Sequence, residues 1–180
     1  LSSRTKAFDE FTKRLRFSEC YVGRRSLTDS TSKYDAFVLG SDQVWNPMNL
    51  GGDFFTMTFI PDNITKIAYA PSFGVSKIPG YQVKKTRTYL DRINYLSVRE
   101  VSGQRIIKEL IGKEAKLVVD PTILLDREHW DTLKGEKIIE KPYIFCYFLG
   151  NIASHRAFAN RLKTKTGMKI VTIPHVDQIV

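Results

Sequence analysis

Four short apolar runs, at residues 34–39, 66–70, 95–98 and 116–119, limit what this chain can fold into. Each is the length of one strand, and glycine, proline or a polar stretch follows it. The first, Tyr-Asp-Ala-Phe-Val-Leu before Gly40, is nearly continuous rather than alternating, which predicts a strand buried on both faces of a parallel sheet. Between the second and third runs, residues 82–93 set Val83, Leu90 and Ile93 apart from Lys84, Lys85, Arg87 and Arg92, the pattern of a crossover helix. Ile106, Ile107, Leu110 and Ile111 give a second helix its apolar face, with Gly112 as its stop. Ahead of the first run, Phe8, Phe11, Leu15 and Phe17 recur at helical spacing over 7–17. Strand and helix alternate, which predicts an α/β fold with a doubly wound, Rossmann-like parallel sheet and right-handed crossovers.

The pattern pauses and restarts. Asp120-Pro121 ends the fourth run, Asp126 is placed to cap a short helix containing Trp130, and the charged segment 134–141 reads as a linker. A strand at 143–148, a helix at 155–166 with Phe158 and Leu162 on one face and Gly167 as its stop, and a strand at 169–173 follow. We therefore expect a Rossmann-like domain over 1–133, a linker over 134–141 and the opening of a second such domain over 142–180. The chain starts at Leu1 with no secretory pattern, and is expected to be a piece of a longer protein whose first strand and most of whose second domain lie elsewhere.

Composition removes several function classes. With 42% hydrophobic and 26% charged residues the chain is neither disordered nor collagenous. Its longest apolar stretch, 143–149, falls far short of the ~20 residues of a membrane-spanning helix. Cys20 and Cys146 are far apart with no metal-ligand spacing around either, and His129, His155 and His175 form no metal-binding helix motif, so neither a metal site nor a disulfide framework is expected. The net charge of +9 favours anionic partners, but no nucleic-acid motif accompanies it, and a solvated helix face explains most of the basic residues.

In doubly wound sheets ligands bind beyond the carboxyl ends of the strands. After the first strand stands Gly40-Ser-Asp-Gln-Val-Trp-Asn-Pro47, in which a glycine allows a tight turn and polar side chains crowd together. Asp42 can take a proton from a hydroxyl or bind a diol, Gln43 and Asn46 can hydrogen-bond hydroxyls, and Trp45 can stack on a sugar ring; by spacing alone, a turn built by Ser41 and Asp42 with Trp45 merely packing is as good a reading. After the second strand, Pro71-Ser-Phe-Gly74 offers the Ser72 hydroxyl without the surroundings of a nucleophile elbow. After the third, Ser97-Val-Arg-Glu100 matches a capping box, which gives Glu100 a structural role and leaves Arg99 free to meet a phosphate or carboxylate. Neither a dinucleotide-binding nor a nucleoside-triphosphate glycine loop occurs.

In order, the block 34–47, then Lys66-Ile-Ala-Tyr-Ala-Pro-Ser-Phe-Gly74, Ser97-Val-Arg-Glu100 and Val119-Asp-Pro-Thr-Ile-Leu-Leu125 resemble the polysaccharide pyruvyl transferase family, through about residues 8–150. The resemblance implies two domains similar to B-type glycosyltransferases, and transfer of a pyruvyl group from phosphoenolpyruvate to a sugar of a cell-surface polysaccharide precursor, giving a ketal across two hydroxyls and free phosphate. It implies a cytoplasmic enzyme without a cofactor, with phosphoenolpyruvate and a saccharide acceptor as partners; a lipid-linked acceptor and peripheral contact with the inner membrane are compatible with the positive charge. The family's Ser-Phe-His block is missing here, and its donor-binding arginines and histidine are expected outside this chain, so none is carried over to His155 or His175. The residues expected to serve the acceptor are Asp42 as the catalytic group, with Ser41, Gln43, Trp45, Asn46, Ser72 and Arg99 binding. A sugar-nucleotide glycosyltransferase and a non-catalytic saccharide-binding module remain the alternatives.

Overall fold

A computed structural model describes residues 3–48, 50 and 53–173. The chain divides into two compact units, residues 1–126 and 127–180.

In the first unit, helices α1 (Ser3–Lys13) and α2 (Gly23–Ser30) precede strand β1 (Ala36–Leu39). Then come β2 (Thr65–Ala68), α3 (Val83–Asp91), β3 (Tyr95–Val98), α4 (Val101–Ile111) and β4 (Lys116–Leu117). The four strands form one parallel sheet in the consecutive order β1-β2-β3-β4. Among the described strands the order never reverses. Right-handed crossovers in one direction put α3 and α4 on the same side, where they pack against each other. Among the described residues the sheet is therefore parallel and Rossmann-like in its β-α-β units, with α3 and α4 covering one face and the other face exposed at Val38 and Tyr95.

That difference corrects the reading of the first strand. Leu39, Ala68 and Val98 are buried in one cluster with Tyr89 and Leu90 of α3 and Ile106 and Ile107 of α4. In register on the other face, Val38 and Tyr95 are each 64% exposed on either side of half-buried Ile67. β1 is apolar on both faces yet buried on one. No α-helix joins β1 to β2 among the described residues; the connection instead sends Trp45, Met57 and Ile60 into the core.

Other expectations shift locally. α1 ends at Lys13 because the chain tightens there, with the N–H of Arg14 donating to Phe11 O and that of Leu15 to Thr12 O, so Leu15 and Phe17 lie beyond the helix. α2, with Leu27 as its lone large apolar residue, has no periodic signal. Gly112 closes α4 in the left-handed conformation at φ 69°, and Gly103 lets α4 approach β3 so closely that a Cβ there would meet Val98 at 3.2 Å. Two cations are structural, Lys66 on a strand and Arg92 at the end of a helix read as having a solvated basic face. Lys66, on β2, is buried, and its Nζ donates to Pro61 O and Ile64 O, both at 2.9 Å. Burial, and next Arg92, hold its pKa below the usual lysine value against the pull of Asp62. Arg92 donates to Asp62 Oδ1, Thr58 O and Ile60 O and so staples the β1–β2 connection to the end of α3.

The second unit contains α5 (Arg127–Leu133), β5 (Tyr143–Cys146), α6 (Ala153–Thr166) and β6 (Lys169–Thr172), with β5 and β6 paired in parallel. Gly167 ends α6 at φ 69°. Ala159 is the buried residue of α6; Leu162 is half-buried, and Phe158 stays exposed with Arg161 over its ring. Pro174 and His175 lie outside the described residues. Among the described residues no helix is long and apolar enough to cross a membrane, and both cysteines are free.

The one-sided sheet predicts opposite responses at neighbouring positions of β1. Leu39→Ala should cost about 2–5 kcal/mol, whereas Val38→Thr should stay within about 0.5 kcal/mol of the parent. Chemical denaturation of the two variants measures both, and equal losses would contradict a single covered face.

Candidate functional site at the carboxyl edge of the sheet

The loops after β1 and β2 are zipped together. Ser72 N–H donates to Asp42 O at 2.7 Å, and Trp45 N–H donates to Ser72 O at 3.2 Å. Trp45 anchors this joint from beneath. It is 0% exposed, its ring lies 5.2 Å from that of Phe73 and 5.7 Å from that of Tyr89, and its Nε1–H donates to Phe55 O. The stacking role for Trp45 therefore gives way to packing, since both ring faces are enclosed. Ser72 is corrected in the same way. It is buried, and its hydroxyl donates to Glu100 Oε1 and accepts Gly74 N–H, each at 2.9 Å, so it is committed to the turn.

The glycine that matters here is Gly74, not Gly40. A Cβ on Gly40 would meet nothing within 4 Å, and Gly40 is not among the residues with positive φ. Gly74 sits at φ 62°, and a Cβ there would meet Asn46 Nδ2 and Gln43 Oε1 at 2.8 Å. Gln43 and Asn46 also bond to each other, Asn46 Nδ2 donating to Gln43 Oε1 at 3.1 Å, and Asn46 Oδ1 accepts Met48 N–H. Asn46 is thus half-buried and used within the loop, while Gln43 is exposed. The left-handed residue after β1 is Asp42 itself, at φ 107°, a conformation that non-glycine residues adopt at an energetic cost.

Around Arg99, at the end of β3, the chain gathers one guanidinium and three carboxylates. Its Nη1 donates to Asp120 Oδ2 at 2.8 Å and to Ser41 Oγ at 3.1 Å. Its Nη2 is 3.8 Å from Asp42 Oδ1, and its Nε is 4.0 Å from Glu100 Oε2. Ser41 completes a triangle by donating to Asp120 Oδ2 at 2.5 Å. Arg99 is therefore not a free guanidinium awaiting an anion; it is the hub that holds carboxylates from several strand ends together. Asp120 is held well below the usual carboxylate range, first by the Ser41 hydroxyl, then by the backbone N–H and hydroxyl of Thr122; burial opposes them, and Arg99 adds the least.

Glu100 does not close a capping box. Its side chain leaves the helix it precedes and accepts from Ser72 Oγ and Phe73 N–H, each at 2.9 Å, while Ser97 donates to Ala68 O and accepts from Ala70 N–H. Glu100 and Asp120 are the site residues the sequence reading passed over. The strand-end rule that led to Asp42 and Arg99 also points to Asp120, directly after the fourth apolar run.

The outcome is an uneven set of side chains. Ser41, Arg99, Asp120 and Glu100 are bonded to one another or to the turn, whereas the Asp42 side chain is 85% exposed, with Oδ1 accepting only the N–H of Gln43 at hydrogen-bond distance. A carboxylate fixed at its backbone and open at its oxygens can accept a hydroxyl proton from a ligand. Among the described residues no three His, Cys, Asp or Glu side chains come together as a metal-binding group.

Two measurements test the joint and its electrostatics. Gly74→Ala should cost about 1–2 kcal/mol for the left-handed backbone alone, plus the displacement of Gln43 and Asn46, visible as shifted side-chain amide resonances; an unshifted spectrum would contradict the close approach. A carboxyl depressed in the folded state contributes stability that is fully present above its unfolded value of about pH 3.9 and lost as the pH falls through the folded value. Asp120→Asn should therefore lower stability at neutral pH and flatten the decline below about pH 4; an acid limb identical to the parent's would show that Asp120 is not held by this network.

Compared with known proteins, the chain matches the family model described as Polysaccharide pyruvyl transferase over residues 2–179. None of the curated proteins and none of the solved structures compared with it matches. The family match spans nearly the whole chain and agrees with the resemblance carried by the blocks at 34–47, 66–74, 97–100 and 119–125, so the chain belongs to the polysaccharide pyruvyl transferase family.

Proposed function

We propose that this chain supplies the acceptor side of a pyruvyl transferase that moves the pyruvyl group of phosphoenolpyruvate onto two hydroxyls of a saccharide in a polysaccharide precursor. The carrying observation is the open carboxylate of Asp42, braced on a guanidinium already occupied by Asp120 and Ser41. Three carboxylates around one arginine disfavour a ligand that brings further negative charge, and favour one that donates hydroxyl hydrogens. The phosphate and carboxylate of phosphoenolpyruvate therefore belong beyond this cluster, and the sugar belongs against it.

The chemistry requires a proton on the methylene carbon of the enol, a bond from each of two sugar oxygens to the former enol carbon, loss of both hydroxyl protons and departure of phosphate. Asp42 takes a hydroxyl proton as the first sugar oxygen attacks. Gln43, exposed beside it, is placed to hold a neighbouring hydroxyl; Ser41 and Arg99 hold the carboxylates in place. No step needs a cofactor or a metal ion. The same reading assigns the chain to an architecture like that of B-type glycosyltransferases, with domains over 1–133 and 142–180 and a linker over 134–141. It places the reaction in the cytoplasm, where phosphoenolpyruvate is made, and at the inner membrane face where the acceptor is lipid-linked.

The test is phosphate release from phosphoenolpyruvate by the natural protein carrying this chain, with and without a panel of soluble and lipid-linked saccharides. Release is expected only with acceptor, and Asp42→Asn should lower it by about 10²–10⁴-fold, the usual contribution of a positioned general base, with unfolding unchanged or improved. Turnover unaffected by Asp42→Asn would remove Asp42 from the chemistry, and release of a nucleoside diphosphate from a sugar nucleotide would replace the reaction itself.

A further inference from the structure

Asp120 is bonded at both of its carboxylate oxygens. Oδ1 accepts the N–H and the hydroxyl of Thr122 at 3.0 and 2.8 Å and so caps the turn Pro121–Ile123, while Oδ2 accepts the Ser41 hydroxyl at 2.5 Å and Arg99 Nη1 at 2.8 Å. We infer that Asp120 is a positioning residue for the transfer: by occupying the Arg99 guanidinium it keeps that cation off Asp42, whose carboxylate stays open to take a hydroxyl proton. The inference rests on the role proposed for Asp42 and names the residue that makes that role possible.

Two carboxylates compete for one guanidinium. An arginine beside an aspartate ordinarily closes on it in a charge-assisted, often two-pronged pair, and the Asp42 side chain, 85% exposed, leaves room for that closure. Yet Arg99 Nη2 stops 3.8 Å from Asp42 Oδ1, beyond hydrogen-bond reach, while Nη1 is bonded to Asp120. Asp120 wins because the Ser41 hydroxyl and Thr122 already fix both its oxygens, and because its side chain is 27% exposed, where solvent screens an ion pair less. The Ser41 hydroxyl, and next Thr122, also hold it well below the usual carboxylate range, so its claim on Arg99 persists into acid. Glu100, the third carboxylate facing the guanidinium, is no rival: its Oε1 is taken by Ser72 and Phe73, and its Oε2 lies 4.0 Å from Nε.

Asp42 keeps its own place by other means. Its backbone oxygen accepts Ser72 N–H, it forms a bridge with Pro71, and its Oδ1 accepts Gln43 N–H. Loss of the Asp120 charge therefore frees the arginine without freeing the aspartate, and a guanidinium shift of about 1 Å closes the gap between them. Asp120→Asn isolates that charge. The carbonyl oxygen of the asparagine can still accept from Thr122, so a capping role survives the substitution while the hold on Arg99 does not.

The experiment compares Asp120→Asn, Arg99→Gln and the two combined in the natural protein carrying this chain. It reads the pH profile of kcat/KM for acceptor-dependent phosphate release, and the carboxyl NMR titration of Asp42 without substrate. Asp120→Asn should lower kcat/KM about tenfold and move the acid limb to lower pH, because a cation closing on a base favours its charged form and weakens it. Arg99→Gln should move the limb to higher pH, since Asp120 then stands near Asp42 as an unbalanced negative charge. The double variant should bring the limb back to the parent's and recover most of the activity lost in Asp120→Asn. A lost cap or lost packing does not produce opposite signs that cancel, and should Asp120→Asn fold poorly, Arg99→Gln set against the double variant reads the same sign. A protein that releases no phosphate but shows these signs in the Asp42 titration overturns the reaction and upholds the inference. An Asp42 titration that ignores the substitutions, with or without turnover, or a double variant worse than both single ones, overturns the inference.

Discussion

The burial of one indole fixes the rest of the site. Trp45 sits between Phe73 and Tyr89 with its N–H on Phe55 O, and because the loop that carries it also carries Ser41, Asp42 and Gln43, those side chains are delivered to the sheet edge by core packing. A buried tryptophan contributes several kcal/mol to the folded state. That is enough to hold a neighbouring backbone in a conformation it would not choose, and the left-handed Asp42 lies three residues away. The Ser72 hydrogen bonds then tie this loop to the next, and Glu100 ties that turn to the start of α4, so four consecutive strand ends act as one frame.

Much of this was legible in the sequence, and the failures are instructive. The apolar runs gave all four strands, the crossover helices and the stops at Gly112 and Gly167, because period and punctuation are local properties. What periodicity could not supply was the number of layers. Tyr95 and Val38 look like core residues in a list of apolar positions, and only the consecutive strand order shows that both face away from α3 and α4. Likewise the Ser-x-x-Glu spacing at 97–100 is a real local preference that lost to a distant competitor: two donors of the 71–74 turn reach Glu100 first.

The site divides along the same line. Asp42 and Arg99 lie at the edge that the strand-end rule singles out. Trp45 and Ser72 were found by the same rule and misplaced, because a polar-rich block says which residues are near the edge but not which of them face inward. The role of Arg99 changed most. Its position suggests an anion receptor, whereas Asp120, remote in sequence, neutralises it, and the Ser41 hydroxyl accepts from it, which turns it into a brace. Long-range pairing of this kind leaves no trace in spacing.

The backbone at Asp42 has a further consequence. A residue at φ 107° holds the chain in a state that glycine would enter freely, at a cost of about 1–3 kcal/mol. Here, then, backbone ease and side-chain bonding point in opposite directions: the substitution that relaxes the backbone is the one that deletes the carboxylate. The aspartate returns part of that cost locally, through the N–H of Gln43 and its approach to Arg99, so glycine would ease the backbone while taking away one of the loop's own ties.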